Sequence, residues 1–484
     1  MQPYRQPRLA SGTNQVRAGT VDPAVGAHSI QSPEDLWETE AIRRISFRFC
    51  LAALFLRLSV LPELIYYVTH YNTYLLYLVG PLAMLSTLVR GGIQRTFRSR
   101  ASYYWLGFVL WMILATPFSS WRGGSAGKVF AYVRVEAVFL VLVGGLALNW
   151  SEVRSIYRTI AAAAVANLLA TRLFERMEAG RMSLPSTGSI GNSNDLAAQL
   201  LLVLPFVLYF MLGRGRSIIV RLIVLGLLFY GLWIILATAS RGALVGLAVV
   251  FLCLLIHASL PQRVLLVLFA GAAALVVLSA LPSMTVNRLS SLFGNKDREA
   301  EESAASRKYL FQTSVKFTFE HPVFGVGPGE FGDFEGLTSR AQGLHGNWHA
   351  THCVYTQVSS ECGLPAFFFF VGGLGSAMLL VGRTYRRAKI EGYPDIANAC
   401  FCYLLAMAGH LTSLLFLAQA YTFRLPAMVG LAVTLGFAAE RTMKAQAGNA
   451  SSPGPVPAAD PSGAGRSLPA PRFRRTQPSP GRAS

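Results

Sequence analysis

"IIVRLIVLGLLFYGLWIILA", residues 218–237, decides the fold: it carries one charged residue, Arg221, in twenty. About twenty apolar residues, rising 1.5 Å each, cross roughly 30 Å of hydrocarbon. There the backbone has no water to bond, so a run this long must be a helix. Similar runs recur along the chain, among them "LAAQLLLVLPFVLYFML" (196–212), "GALVGLAVVFLCLLI" (242–256) and "VLLVLFAGAAALVVLSAL" (264–281). The 484 residues are 53% hydrophobic and only 14% charged, against about 25% charged in soluble proteins. One water-soluble core cannot cover so many helices that are apolar all round. The chain reads as a polytopic membrane protein. No cleavable leader is expected, because the first 40 residues are polar and lack an apolar core. The six cysteines are scattered, with Cys50, Cys253, Cys400 and Cys402 inside apolar runs, so no disulfide framework is indicated. The net charge of +19 comes without a basic stripe interleaved with aromatics, so no nucleic-acid partner is expected.

Twelve spans are expected, near 46–61, 73–89, 102–118, 128–148, 156–174, 195–212, 218–238, 242–258, 263–281, 363–382, 397–418 and 425–440. The first is the weakest, since it contains Arg48 and Arg57. Alternate connections hold most of the basic residues: Arg90, Arg95, Arg98 and Arg100, then Arg154, Arg214 and Arg216, Arg263, and finally Arg383, Arg386, Arg387 and Lys389. Both tails join this set through Arg43, Arg44, Arg441 and Lys444. Basic bias in short loops marks the cytoplasmic side, so both termini are expected inside. The expected fold class is all-α, a transmembrane bundle of about twelve spans. Its parts are a disordered cytoplasmic tail (1–45), spans one to nine (46–282), an external loop with short helices between spans nine and ten (283–362), spans ten to twelve (363–440), and a disordered basic cytoplasmic tail (441–484). The 175–193 loop and the Ser240–Gly242 turn fall on the same outer side as the long loop. A loop of that length with sequence of its own is more often functional than a linker.

Within the long loop, residues 283–302, which include "NKDREAEE" (295–302), are polar and mixed in charge and read as flexible. Residues 303–320 read as an amphipathic helix, with Leu310, Phe311, Val315 and Phe319 at helical spacing. It carries Arg307 and ends at His321–Pro322. "GVGPGEFG" (325–332) formally contains G-x-G-x-x-G, but it follows no strand and holds a proline, so a tight turn is the better reading. "HGNWHATHCVYTQ" (345–357) follows, and the chain looks helical from about Thr351. His345, His349 and His352 have i, i+4 and i, i+3 spacing, which admits a metal site. Gly346 and Asn347 weaken a helix there, and no carboxylate lies within the cluster. Structural packing and general-base chemistry stay open beside it, since a neutral imidazole can take a proton from a sugar hydroxyl. Arg241, in a short outer turn between two apolar spans, and Arg307 are candidates to hold a diphosphate through their planar, permanently charged guanidiniums. Asn194 or Asp195 reads as an N-cap of the sixth span, with a sugar or pyrophosphate contact as the alternative.

Four stretches in order make the chain resemble the O-antigen ligase and O-antigen polymerase family of bacterial membrane glycosyltransferases. They are "GNSNDLAAQLLLVLP" (191–205), "TASRGALVGLA" (238–248), "SRKYLFQTSVKFTFEHPVFGVGPGEF" (306–331) and "HCVYTQVSSECGLP" (352–365). The resemblance implies an undecaprenyl-diphosphate-linked glycan as donor. It implies an acceptor sugar hydroxyl, on the lipid A core for ligases or on a growing polysaccharide for polymerases. It implies transfer on the outer face of the bacterial inner membrane, among membrane lipids, with no cofactor and no metal. His352 would be the catalytic base, Arg241 and Arg307 would bind the diphosphate, and His349, Asn192 and Asn194 are further substrate-contact candidates. Tyr355, Gln357 and Glu361 would orient their helix. Cys353 and Ala366 depart from the ligase pattern H-[NSQ]-x9-G-x-x-[GTY], which leaves ligase and polymerase both open. Two other classes remain as expectations to separate: a glycolipid transporter or flippase, and a non-catalytic partner of a polysaccharide assembly complex.

Overall fold

Long apolar runs fold here as helices, and the polar breaks between them set where each one turns. The computed structural model describes residues 33–451, apart from 90, 179, 186–189, 214 and 291–297. Helices α1 (Pro33–Leu58) and α2 (Leu61–Thr69) meet at a 64° bend, and α3 (Leu75–Val89), α4 (Gly92–Thr96) and α5 (Arg100–Ala115) follow. Next come α6 (Arg122–Ala131), a π-helical turn (Tyr132–Ala137), α7 (Val138–Gly144) and α8 (Trp150–Phe174). A hairpin of β1 (Arg176–Glu178) and β2 (Arg181–Ser183) precedes α9 (Ser193–Leu212), α10 (Ile218–Ala237), α11 (Arg241–His257) and α12 (Leu260–Ser279). The long connection holds α13 (Ser283–Ser290), α14 (Arg298–Glu320) and α15 (Phe331–Ala341). Then α16 (Val354–Ile390), α17 (Pro394–Ser413) and α18 (Arg424–Ser451) complete the bundle.

Among the described residues, six helical segments are long and apolar enough to cross a membrane: 100–118, 193–212, 218–237, 260–279, 354–390 and 394–416. The bent pair formed by α1 and α2 makes a seventh if counted as one span. The expected number of twelve is therefore not established. The other expected spans lie on helices that are short, such as α11, broken, such as α6 with α7, or more polar, such as α8. The fold is helical as expected, with one small antiparallel hairpin in which Met177 faces Met182. The tail expected to be disordered to residue 45 is already helical from Pro33, and α18 runs on to Ser451. The remainder of both expected tails, 1–32 and 452–484, lies outside the described residues, as does 291–297 of the expected flexible stretch.

Helix α9 is the centre of the bundle, with 72% of its apolar window covered by protein, packed by α8, α10, α11 and α17. By contrast only 11% of the α12 window is covered, so its leucines and valines face outward. Where apolar helices cannot gain from water release, close approach of small residues drives their packing. Gly246 of α11 lies against Gly409 of α17, where an added Cβ would sit 2.7 Å from the Gly409 carbonyl oxygen. Several polar side chains inside the bundle bind one another. Arg57, which made the first span look weak, forms a salt bridge with Glu136 in the π turn. Arg424, 2% exposed, donates from Nε to Gln199 Oε1 at 2.6 Å. Gln199 in turn donates to the Leu58 carbonyl at 2.8 Å, which satisfies the backbone freed by the α1–α2 break.

One end of the bundle is gathered by Asp395, which accepts from Trp150 Nε1 at 2.7 Å, Arg154 Nε at 2.8 Å and Tyr209 Oη at 2.7 Å. At the other end the β1–β2 hairpin, the 238–240 turn, α13 to α15 with the 345–353 segment, and the 414–423 loop meet. Thr285 Oγ1 donates to the Gly180 carbonyl at 2.9 Å, and Arg181 Nε to the Thr238 carbonyl at 3.0 Å.

Candidate functional site

The floor of this end is a Gly-rich clasp. Helix α16 is interrupted at Gly363, whose φ of 84° belongs to the left-handed region that favours glycine. Span ten, expected to begin at residue 363, is therefore the second part of a helix that starts at Val354. The interruption frees backbone groups that residues 322–329 take up. Val326 N donates to the Ser360 carbonyl (2.8 Å), Gly327 N to the Glu361 carbonyl (2.9 Å) and Leu364 N to the Pro322 carbonyl (2.7 Å). A Cβ on Gly325 would lie 2.3 Å from the Glu361 carbonyl carbon, and one on Gly363 2.1 Å from the Val323 oxygen. The glycines of "GVGPG" thus permit close backbone approach, and their role is a clasp. Buried Glu361 accepts from Gly329 N (2.9 Å) and Tyr421 Oη (2.6 Å). Gln357 Oε1 accepts from Ala420 N at 3.1 Å, and Tyr355 Oη donates to the Leu411 carbonyl at 3.1 Å. All three side chains use these polar atoms to fix α16 against the 411–421 segment.

Above the clasp, α14 and α15 enclose a separate small core of Leu310, Phe317, Val326 and Phe331. The expected amphipathic helix is present and begins earlier, at Arg298. It is bound to α16 through Thr318 Oγ1 and Ser359 Oγ, 2.8 Å apart. Glu335 of α15 is 1% exposed, and its Oε2 accepts from Asn347 N (2.9 Å) and Trp348 N (3.0 Å). Its Oε1 accepts from Tyr309 Oη and Ser339 Oγ, both at 3.1 Å. One carboxylate therefore holds the start of the histidine segment. Gly336 and Gly346 touch, so that a Cβ on Gly346 would lie 2.6 Å from the Gly336 Cα. Leaving such buried donors without an acceptor costs about 1–3 kcal/mol. Glu335→Ala is expected to destabilise the 345–352 segment by that amount, measured as faster proteolysis there with the bundle intact. Glu335→Gln, which keeps an acceptor oxygen, is expected to lose less.

The histidine segment is not helical. Residues 345–353 are irregular and α16 begins only at Val354, later than the expected start at Thr351. Trp348 and His352 both lie in the left-handed region, at φ 55° and 54°. For residues with a Cβ this costs about 1–2 kcal/mol each and persists only where the surroundings enforce it. His352 is half-buried, while His345 and His349 are exposed. Among the described residues no three His, Cys, Asp or Glu side chains are grouped to hold a metal ion. Burial first, then the Arg307 guanidinium, then His349, hold the His352 pKa below its ordinary value. Arg307 and His349 are thus its electrostatic neighbours, and the neutral imidazole is favoured. Cys353 is buried as the N-cap residue and makes no side-chain cap bond, so this position needs no polar side chain.

Arg241 opens α11. Thr238 ends α10, Ala239 takes φ 45° and Ser240 is the N-cap, which turns the chain sharply and leaves the Arg241 side chain half-buried. A cation is disfavoured by the positive end of a helix dipole, so an arginine here suits an anion brought between them. The first turn of α11 packs on Phe416, against which a Gly242 Cβ would lie 2.8 Å away. Tyr355 binds Leu411 on the same stretch, so the Arg241 turn and the start of α16 are fastened to one end of α17.

Asn192, and neither Asn194 nor Asp195, is the N-cap of α9: its Oδ1 accepts from Asn194 N (2.9 Å) and Asp195 N (3.1 Å). Asn194 Oδ1 accepts from Arg181 Nη2. Arg181 therefore joins the hairpin, the α9 cap and the Arg241 turn, a role that sequence reading missed together with that of Glu335. Each lies among ordinary loop or helix residues, and apart from Ser339 its partners are 12 to 57 positions away. The signal that was available is an arginine in an outer loop.

The fold and this polar end define a helical membrane protein with its candidate chemistry gathered at one end of the bundle. Residues 226–371 match the family described as O-antigen ligase. The match contains Arg241, Arg307, His349 and His352. No curated protein matches the chain. The chain is accordingly a helical membrane protein similar, over this stretch, to O-antigen ligases.

Proposed function

We propose that the chain transfers a glycan from a polyprenyl diphosphate, such as undecaprenyl diphosphate, to an acceptor sugar hydroxyl by direct displacement. His352 takes the hydroxyl proton, and the oxygen attacks the anomeric carbon. The bond to the diphosphate breaks, and Arg241 and Arg307 hold the charge that leaves. His349, Asn192 and Asn194 line the approach of the sugars. The observation that carries this reading is the His352 imidazole, favoured in its neutral form beside Arg307, inside the segment that matches the family. The basic connections at the Asp395 end support placing that end in the cytoplasm and the site on the outer face of a bacterial inner membrane.

The acceptor class follows from product analysis. The full chain in proteoliposomes is given a lipid-linked glycan, with either lipid A core or more lipid-linked glycan as acceptor. Joined product with free polyprenyl diphosphate supports the reading and separates ligase from polymerase. Movement of the glycolipid across the bilayer with no joined product would instead mark a transporter. The half-buried Arg57 and Glu136 and the buried Arg424 are the feature a transporter would use, but each has protein partners.

The pH dependence has a definite sign. A base works when deprotonated, and lowering its pKa keeps it deprotonated at more acidic pH. The acidic limb of kcat/KM is expected below the ordinary histidine value of about 6.5. Arg307→Gln removes a neighbouring positive charge, so the residual activity is expected to show that limb moved to higher pH.

A further inference from the structure

At the end opposite His352, a cavity of about 670 Å3 opens between the α4–α5 segment, α16 and α18. Seven basic side chains and a single carboxylate line it. The carboxylate, Glu440, is already bound to Lys444 at 2.6 Å, and Arg387 is bound to Glu391 at 2.7 Å. Arg95 donates from Nε and Nη2 to the Gly145 carbonyl, at 3.0 and 2.7 Å, which fixes it on the wall. Arg98 stacks over Phe437 at 5.5 Å. Among the described residues no carboxylate lies within ion-pair distance of Arg98, Arg100 or Arg383.

The bias of basic residues toward one membrane face explains their number but not their convergence in a concavity. Like charges gathered in one cavity repel unless an anion joins them. The same helices add an apolar lining of Leu379, Leu380, Val433 and Phe437. Positive charge beside an apolar wall at a membrane edge matches a phosphate-bearing headgroup whose acyl chains continue along the helices. Arginine forks suit phosphate oxygens in particular.

We propose that this cavity binds phosphate groups carried by an anionic lipid, at a site separate from the glycan-transfer end. Nothing in the proposal depends on the transfer chemistry. The test uses the purified full chain, stripped of lipid, and measures uptake of cardiolipin from mixed phosphatidylcholine micelles by native mass spectrometry. Parallel arms offer phosphatidylcholine alone and soluble inorganic pyrophosphate. Arg98→Glu/Arg383→Glu is compared with Arg221→Glu/Arg386→Glu, which removes equal charge at the same end outside the cavity. The expected result is cardiolipin binding by the wild type, weakened about 100-fold or more by the cavity pair, since each of the two lost charged contacts is worth about tenfold or more. The control pair is expected to keep it. Equal loss in both pairs would reduce the effect to general surface charge and overturn the site. Pyrophosphate binding that matches and displaces cardiolipin would overturn the lipid assignment, and no cardiolipin uptake by the wild type would overturn the whole. Should the cavity pair fail to fold, Arg98→Gln/Arg383→Gln, checked for an unchanged melting temperature in lipid-free detergent, gives the same discrimination.

Discussion

Arg241→Ala is expected to slow glycan transfer by about 100- to 1,000-fold, the range for losing one preorganised charge donor at a reacting centre. The reason lies in its position at the start of α11, half-buried in a turn held by Arg181 and the left-handed Ala239. Charge develops on the diphosphate as its bond to the sugar breaks. A guanidinium placed beforehand stabilises that charge without reorganising. Arg241→Lys keeps the charge but loses the planar fork, so it is expected to recover only part of the rate. Because Arg241 and Arg307 would hold the same group, their double variant is expected to lose less than the product of the single losses. Binding of the lipid-linked glycan, measured apart from turnover, separates the two contributions. A rate loss confined to KM would assign Arg241 to ground-state binding, and an unchanged rate would remove it from the mechanism.

His352→Gln is expected to lower kcat by about 100- to 10,000-fold, the usual worth of a positioned general base. Glutamine fills similar space and can still hydrogen bond, but it cannot take the proton. The left-handed backbone at residue 352 is maintained by its surroundings, so the substitution is expected to leave folding nearly unchanged, as judged by the melting temperature. His349→Gln is expected to have a far smaller effect on kcat and to act mainly through the His352 titration, since the two imidazoles are electrostatic neighbours. His345, exposed in the loop, is expected to be replaceable. If His349→Gln proved as damaging as His352→Gln, the base assignment would have to be shared or moved.

Apolar runs announced the helices because hydrocarbon leaves the backbone no other partner. The Ser240–Arg241–Gly242 turn and the Arg307 helix were legible for a related reason: a charge at the edge of an apolar run, or on one face of a helix, stands out locally. What could not be read was closure between distant segments. The π turn around Glu136 makes sense only once Arg57 is beside it, 79 positions earlier in the chain. The start of α16 was placed three residues too early because residues 351–353 look helical in isolation, whereas His352 adopts a left-handed backbone. Helix α16 also begins nine residues before the expected span. Its interruption at Gly363 is satisfied by the 322–327 backbone, a match that glycine spacing hints at but does not specify. Glu335 shows the limit most clearly. Nothing near it in sequence calls for a carboxylate, yet two backbone N–H groups of the histidine segment depend on it.

The central claim is a single displacement at the anomeric carbon, with His352 as base and the diphosphate leaving toward Arg241 and Arg307. The most direct measurement is the anomeric configuration of the new linkage, determined by NMR on product made by the purified protein from a donor of known configuration. A single displacement predicts complete inversion, with one polyprenyl diphosphate released for each bond formed. Retention of configuration would require an intermediate on the protein or its substrate and would contradict the mechanism.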